Sequence, residues 1–448
     1  MSSMNNLEYS LRSISPIDGR YRNIVNNKNL DLSIYFSEHS LIKTRSKVEI
    51  LYLIDLLNKL KVSTNGIDLE CLYNKWSIYD SINVKEVEDI TKHDVKALEY
   101  YLNIKLDDKN LEDIKKYVHW GLTSQDVNHV SQTYLLKEFT NNVLINKMNE
   151  IIYNIRNISK ESISMLSHTH GQPASPTVFE KEMLVFITRL EEHLNDLKNY
   201  KWKTKFGGAV GNLNAHKSLI KNINWEKFCI DFLHKFDLER HKYTTQIDNY
   251  DYLSIYWDII KRFNLVLIDF CQDIWLYISK DYITQKIIKD EVGSSTMPHK
   301  VNPICFENAE GNLGLGNTII EFFSRKLPIS RLQRDLTDST VSRNYGVGLG
   351  YCIIAYDNII KGISRISINI KKINEDLDNN WIVLAEPIQY ALKLEGIKDG
   401  YEKLKEFTRK YEKPNKKQIQ NFICDLDISN ELKIKLLELT PNNYNGMI

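Results

Sequence analysis

The chain has 448 residues, of which 42% are apolar and 26% are charged, and its formal net charge is +1. This length exceeds one ordinary hydrophobic core and the apolar fraction is ample for burial, so we expect two or three folded domains and exclude a chain that is disordered overall. The balance of charges argues against a dedicated nucleic-acid binder, because such proteins carry a clear basic excess.

Cysteine spacing and hydropathy argue against a cysteine metal site and against a membrane protein. The six cysteines are scattered and none forms a CxxC pair, which argues against a cysteine zinc site and is typical of a reducing compartment. The N-terminal segment has no apolar signal core, and the apolar stretches at 50–57 and 263–270 are shorter than the ~20 residues of a membrane span. We therefore predict a cytoplasmic protein that binds neither membrane nor nucleic acid.

The first polar motif in chain order is TKHD at 91–94. We predict that Thr91 caps a helix and that His93 lies in its first turn, with an inner face formed by Val95, Leu98 and Leu102. A lone histidine at such a position is more often structural than functional.

Two long stretches, 122–170 and 212–292, contain neither Gly nor Pro. Sheet proteins need a turn about every 8–12 residues, so these stretches indicate long helices. Apolar residues recur at spacings of three and four from Met183 to Leu197, and the segment 252–278 is apolar on most sides. The sequence therefore predicts an all-α fold built around a bundle of long helices.

Gly and Pro cluster at a few places between these stretches, and we place approximate domain boundaries near 115 and 365. The prediction is an N-terminal helical domain at 1–115, a central long-helix bundle at 116–365 and a C-terminal helical domain at 366–448.

The segment SHTHGQP at 167–173 joins the first of the long stretches to the next predicted helix. His168 and His170 lie beside Gly171 and Pro173, where a backbone turn exposes side chains. A zinc site would need a third ligand, and the HTH spacing is not a strong metal signature. General acid–base use of one histidine is the better functional interpretation, although a turn histidine without a function fits this segment equally well.

Two further polar segments follow. GSSTMPHKVNP at 293–303 brings hydroxyls, a lysine and an asparagine into one loop without the spacing of a Walker motif, and this combination suits anionic oxygens. The segment 330–344, SRLQRDLTDSTVSRN, holds three arginines whose guanidinium groups match carboxylate or phosphate. A solvated helix face explains the second segment equally well.

The motifs carry a resemblance to a known family. GSSTMPHKVNP resembles the signature of the fumarase/aspartase superfamily, and TKHDV and THGQP match two other regions of that superfamily in the right order. Within the superfamily the chain resembles the adenylosuccinate lyase family over nearly its whole length, through SPIDGRY, TSQDVNH, GAVGNLNAH, FENAEGNLGL and WIVLAEPIQ. The resemblance implies a carbon–nitrogen lyase of purine nucleotide biosynthesis. It would eliminate fumarate from adenylosuccinate to give AMP, and from the succinylated carboxamide ribotide SAICAR to give AICAR.

The resemblance also implies an architecture. The fold would be all-α with three helical domains, and the long central helices would form a twenty-helix core in a homotetramer whose active sites are shared between subunits. A helix at 252–278 that is apolar nearly all round fits such burial. No metal or organic cofactor is implied.

Site residues are carried over from the family by position. Ser294 is the expected general base and His170 the expected general acid. Fourteen further positions are expected to bind substrate: Arg20, Tyr21, His93, Asp94, Thr123, Ser124, Gln246, Lys300, Asn302, Asn308, Arg334, Ser339, Thr340 and Arg343. Lys92 departs from the family pattern, because a small amide is expected there.

Two other interpretations stay open at this point. A related lyase acting on argininosuccinate shares the signature, but the arginines and hydroxyls after Ser330 favour a substrate that bears phosphate. An inactive helical bundle with a structural role is the other, and the intact Ser294, Lys300, Asn302 and His170 argue against it.

Overall fold

The computed structural model describes residue 8 and residues 10–64, 66–160, 162–286, 297, 300–411 and 413–446. The described residues are predominantly helical, which confirms the all-α class. They form two compact units, the first comprising Met1–Asn149, His193–Leu265 and Gly311–Asp357, and the second Glu150–Glu192, Val266–Glu310 and Asn358–Ile448. The predicted boundaries near 115 and 365 each lie inside one unit, and the division into three domains stays a prediction.

Among the described residues from Arg22 onward, the helices in the first half of the chain are α1 Arg22–Val25, α2 Ser33–Phe36, α3 Glu38–Leu60, α4 Cys71–Asn74, α5 Ile78–Thr91, α6 Asp94–Asp107, α7 Ser124–Phe139, α8 Ile145–Ile158, α9 Phe179–Lys198 and α10 Asn214–Leu219. The others are α11 Trp225–His234, α12 Asp251–Ser279, α13 Ile304–Lys326, α14 Thr337–Ser342, α15 Tyr345–Ser364, α16 Ile370–Asp378, α17 Ala385–Leu394, α18 Gly400–Lys410, α19 Lys416–Asp425 and α20 Asn430–Glu438. Short 3₁₀ segments occupy Glu112–Tyr117 and Trp381–Leu384, and a π-helical turn occupies Thr140–Leu144.

The strands of the described residues form three two-stranded sheets. The antiparallel pairs are β1 Ser164–Thr169 with β2 Gln172–Val178, and β5 Ile283–Gln285 with β6 Ile366–Ile368. The parallel pair is β3 Lys203–Thr204 with β4 Glu239–Arg240. The β1–β2 hairpin was not predicted, because the Gly- and Pro-free stretch that contains β1 was interpreted as helix to its end.

The long helices confirm the predicted periodicity. The apolar segment 252–278 lies within α12, which has 29 residues. The spacing from Met183 to Leu197 falls within α9, whose Met183, Ile187 and Leu190 are fully buried. No helix in the described ranges is long and apolar enough to cross a bilayer.

The start of α6 differs from the prediction. Thr91 is the last residue of α5, and Lys92 follows as its C-cap in the left-handed conformation with φ of +53°. Because Lys92 ends α5 in this conformation, the next helix starts after it, and the N-cap of α6 is His93, whose Nδ1 accepts a hydrogen bond from the Lys96 amide at 3.2 Å. The predicted Thr91 cap is therefore wrong by two residues, and His93 precedes the first turn. Lys92 itself is exposed.

Candidate active site

His170, the expected general acid, lies at the tip of the β1–β2 hairpin in the second unit. Thr169 pairs with Gln172, so His170 and Gly171 form a two-residue turn, with φ of +52° and +73°. Positive φ at both central positions is the geometry of a type I′ turn, which favours Asn-Gly and matches the right-handed twist of a hairpin. A histidine at the first position is conformationally costly, and such strain is concentrated at functional sites. The exposed imidazole is thus presented at the tip of a two-residue turn.

The neighbouring His168 has different surroundings. It lies in β1, and its ring packs edge-on against Tyr282 with a centroid separation of 6.2 Å. Burial, together with the cation of Lys280, lowers the pKa of His168. Of the two histidines left open by the sequence, the one that faces solvent at the turn is His170.

The signature segment is described only in part. Ser294, the expected base, lies outside the described residues. Lys300 is exposed and its amide bonds to the carbonyl of Met297 at 3.0 Å, while Asn302 is half-buried just before α13. Asn308 is half-buried on the second turn of α13.

In the first unit, Thr123 and Ser124 lie at the start of α7. Thr123 is the N-cap and forms a capping box with Asp126, whose carboxylate accepts from the Thr123 amide at 2.9 Å. The N-terminus of this 16-residue helix carries the positive end of the helix dipole, which favours an anion. The two hydroxyls therefore lie where a phosphate would be well bound.

A buried ion pair fixes this helix start. Lys205 donates to Asp126 Oδ1 at 2.6 Å and to the Gly208 carbonyl at 2.8 Å, and both charged side chains are inaccessible to solvent. The amides of Gly207 and Gly208 donate to the same carboxylate at 2.7 and 3.0 Å. Burial lowers the pKa of Lys205, and the Asp126 carboxylate opposes that shift. The segment GAVG is thereby held against the start of α7.

Gln246 and Arg334 belong to the same neighbourhood as Thr123. The Gln246 side-chain amide donates to Thr123 Oγ1 at 3.4 Å. The Gln246 backbone N–H donates to the backbone carbonyl of Gln333 at 3.2 Å. Asp338 is buried and accepts from Gln125 at 2.9 Å, while Arg334 lies 3.8 Å from it. The structure thus brings three of the predicted binding residues, Thr123, Gln246 and Arg334, close together.

Arg343 and Asp94 form a second cluster in the same unit. Asp94 Oδ2 accepts from Arg45 at 2.8 Å and from Arg343 at 3.2 Å, and its Oδ1 accepts from the Val95 amide. Arg343 also donates to Glu38 at 3.1 Å. Burial alone would raise the pKa of Asp94, but the adjacent arginines lower it, so the carboxylate stays ionised. The Arg343 guanidinium is therefore held between the carboxylates of Asp94 and Glu38.

A pocket of about 310 Å³ adjoins this cluster. Its polar lining includes Ser15, Asp18, Arg22, Ser33, Ser37 and Arg343. Arg20 is exposed and Tyr21 is half-buried immediately before α1, in the same N-terminal segment. Ser339 and Thr340 lie on α14, and Ser339 precedes Arg343 by four residues, which places the two on one helical face.

The loop that leads into Thr123 is held by a charged histidine that the sequence did not single out. His119 has φ of +57°, and its Nδ1 donates to the buried Glu49 at 2.6 Å. Its Nε2 lies 3.8 Å from Glu99. Burial by itself lowers the pKa of His119, but the two carboxylates outweigh it and raise the pKa to about 9.

This raised pKa predicts a loss of stability at alkaline pH. The ordinary histidine pKa of 6.5 applies in the unfolded chain, so the stabilisation is complete below 6.5 and disappears as the pH rises through about 9. The shift corresponds to about 3 kcal/mol of unfolding free energy. We expect the urea midpoint to fall over this window, and His119→Gln to remove most of that dependence.

The matched control for His119 is His234→Gln, because His234 is exposed at the end of α11. That variant should keep the alkaline fall of the wild-type protein. An unchanged pH dependence in His119→Gln would show that the Glu49–His119 pair does not carry the effect.

Two protein-family models and several known proteins match this chain. The family model "Lyase" matches residues 64–315, and "Adenylosuccinate lyase C-terminal" matches residues 330–445. Adenylosuccinate lyase of Dictyostelium discoideum is 45% identical, with 100% of this chain and 99% of the relative covered. Adenylosuccinate lyase of Escherichia coli K12 is 40% identical over 98% of this chain and 97% of the relative. The chain belongs to the adenylosuccinate lyase family.

Solved structures agree on the fold of this adenylosuccinate lyase family member. A fumarate lyase from Mesorhizobium sp. BNC1 has a TM-score of 0.74 at 14% identity, over 93% of this chain and 94% of that one. A 3-carboxy-cis,cis-muconate lactonizing enzyme from Pseudomonas putida has a TM-score of 0.72 at 17% identity, over 93% and 95%. At these identities the likeness concerns the helical fold alone.

Sequence reasoning did not find the residues that support the site in this family member. Asp126 was visible in principle, because Thr-Ser-Gln-Asp before an apolar run is a capping-box pattern. Lys205, Glu49 and His119 carry no local signal, since their partners lie far away along the chain.

Proposed function

We propose that the protein cleaves adenylosuccinate to AMP and fumarate, and SAICAR to AICAR and fumarate, by β-elimination in the cytoplasm. The observation that carries the proposal is 40–45% identity to adenylosuccinate lyases over essentially the full chain. The exposed imidazole on the hairpin turn and the arginine clusters provide the acid and the cations that this reaction needs.

The elimination needs a base for a weakly acidic proton beside a carboxylate. Removal of this proton leaves a carbanion whose charge spreads onto the adjacent carboxylate. Preorganised donors must therefore stabilise a dianion-like species. In our assignment Ser294 takes the proton, and Lys300 and Asn302 hold the carboxylate. No metal or organic cofactor has a role in these steps.

The leaving nitrogen needs a proton as the C–N bond breaks, and we assign that transfer to His170. An acid positioned for proton transfer contributes about 10²–10⁴-fold to the rate. The two-residue turn favours this role, because it presents the His170 imidazole to solvent at the tip of the hairpin. His93 and Asn308 are assigned to substrate binding.

The phosphate-bearing end of the substrate is assigned to the residues of the first unit. Arg334 and Arg343 supply cations, and the start of α7 supplies hydroxyls and amides. The remaining members of the proposed binding set are Arg20, Tyr21, Gln246, Ser339 and Thr340. Asp94 takes part by orienting Arg343, because its oxygens already accept from two arginines and an amide.

We further propose that the chain assembles as a homotetramer with shared active sites. Large apolar side chains remain exposed on the two longest central helices. Ile255, Leu265, Leu315 and Phe322 are between 43% and 55% exposed. Such side chains on packed helices are typical of subunit interfaces. Light scattering of the purified protein should give four times the mass of 52.5 kDa, and a monomeric mass would contradict assembly.

The activity is tested by fumarate release from three substrates in parallel. We expect turnover of adenylosuccinate and SAICAR and none of argininosuccinate, because the arginines and hydroxyls described above suit a phosphate-bearing substrate. Turnover of argininosuccinate alone would favour the related lyase, and no turnover of any succinyl substrate would favour an inactive bundle.

A further inference from the structure

The hairpin that carries His170 is interrupted below its tip. Leu166 pairs with Pro176 and His168 pairs with Pro173, so one residue of β1 faces two of β2 across a bulge. The two prolines have no N–H to donate to the ladder. The tip, residues 168–173, is therefore joined to the base of the hairpin by few backbone hydrogen bonds.

Side chains bridge this interruption. Ser167 donates to the Ser175 carbonyl across the bulge at 2.5 Å. The Ser175 hydroxyl donates to the carboxylate of Glu386, which lies on α17. Since both serines lie within the bulge, these contacts act where the ladder is weakest.

Glu386 provides a fixed reference point for the hairpin. It lies between Leu384 and Ile388, which are both 1% exposed in the hydrophobic core of the C-terminal segment. The Tyr444 hydroxyl hydrogen-bonds to the same carboxylate, and burial together with Glu386 raises the pKa of Tyr444 to about 12. The next residue, Asn445, donates to Ser164 Oγ at the base of β1 at 2.6 Å.

We infer that Glu386, through Ser175 and supported by Tyr444, is a positioning residue that holds the tip of the hairpin and thereby aims the His170 imidazole. The inference rests on the proposed function, in which His170 protonates the leaving nitrogen. Glu386 acts through the hairpin and does not itself touch substrate. A misplacement of about 1 Å in a reacting group can cost up to about 10²-fold in rate.

The chain offers a matched control two residues along β2. Thr177 donates to Glu182 at 2.5 Å, so it is a second hydroxyl–glutamate contact from the same strand. Thr177 pairs regularly with Met165, below the bulge. Loss of the Thr177–Glu182 hydrogen bond should leave the tip of the hairpin in place.

The test compares Ser175→Ala, Glu386→Ala and Glu386→Gln with Thr177→Val in the full-length protein. With adenylosuccinate as substrate, we expect the first two to lower kcat about 10- to 100-fold with little change in KM, because proton transfer is misaligned while the other substrate contacts remain. Glu386→Gln should recover most of the activity, since its amide oxygen still accepts from Ser175. Thr177→Val should retain wild-type kcat.

Hydrogen exchange separates this inference from the proposed function. Amides of 168–172 should exchange faster in Ser175→Ala and Glu386→Ala than in the wild-type protein or Thr177→Val, whether or not the protein turns over adenylosuccinate. Wild-type exchange at the tip, or wild-type kcat in Glu386→Ala, would overturn the inference. A uniform loss of protection across the second unit would also overturn it, because Glu386 would then serve general stability.

Discussion

Replacement of His170 by asparagine is expected to lower kcat on adenylosuccinate about 10²–10⁴-fold, the usual contribution of a positioned general acid. The same replacement should leave the thermal midpoint unchanged or slightly raised. His170 occupies the first central position of the turn with φ of +52°, where asparagine is favoured over most residues. An amide cannot donate the proton that the leaving nitrogen needs, so the chemistry is removed while the turn is preserved.

Two further variants, His170→Ala and Gly171→Ala, separate the loss of the proton donor from the strain in the turn. Alanine at 170 removes the same proton donor, so it should match the asparagine variant in kcat but be less stable, because alanine disfavours positive φ. Gly171→Ala keeps the imidazole but strains a position with φ of +73°, so it should lose stability. An asparagine variant that retained wild-type kcat would exclude His170 as the acid.

Replacement of Lys205 by methionine is expected to destabilise the fold by about 3–5 kcal/mol, the usual cost of removing one partner from a buried ion pair. Lys205 and Asp126 are both inaccessible to solvent. The methionine variant leaves the Asp126 carboxylate buried with amide donors only. Because this carboxylate also caps α7, we expect weaker substrate binding at Thr123 and Ser124. Urea unfolding and KM for adenylosuccinate measure the two effects.

A double-mutant cycle and a surface control test the origin of this destabilisation. Asp126→Asn alone leaves the lysine cation without its counter-charge. The loss of unfolding free energy in the Lys205→Met/Asp126→Asn variant should therefore be smaller than the sum of the losses in the two single variants. Lys217→Met removes a lysine from the exposed contact with Glu226 and should leave the urea midpoint nearly unchanged. Additive losses in the cycle would show that Lys205 and Asp126 act independently.

The sequence predicted those elements whose cause is local. Periodicity located α9 and α12, because an apolar stripe or an apolar surface is written in consecutive residues. The Gly171 and Pro173 punctuation located the turn that carries His170. The strands beside that turn were missed, since β1 contains neither Gly nor Pro and is too short to show a clear alternation.

The supporting contacts of the site depend on distant pairings. Asp126 meets Lys205 across 79 residues, and Ser175 meets Glu386 across 211 residues. No local pattern encodes such a contact, because it exists only after the helices have packed. The misplaced cap at Thr91 has a different cause, namely that Lys92 adopts the left-handed conformation, which a non-glycine residue rarely does.

The most direct test is a crystal structure of the His170→Asn variant with adenylosuccinate bound. We predict that the substituted side chain at position 170 lies within hydrogen-bonding distance of the bridging nitrogen and that Ser294 Oγ lies beside the carbon that loses its proton. The phosphate should lie against arginines of the binding set. A succinyl group bound far from both position 170 and Ser294 would contradict the proposed mechanism.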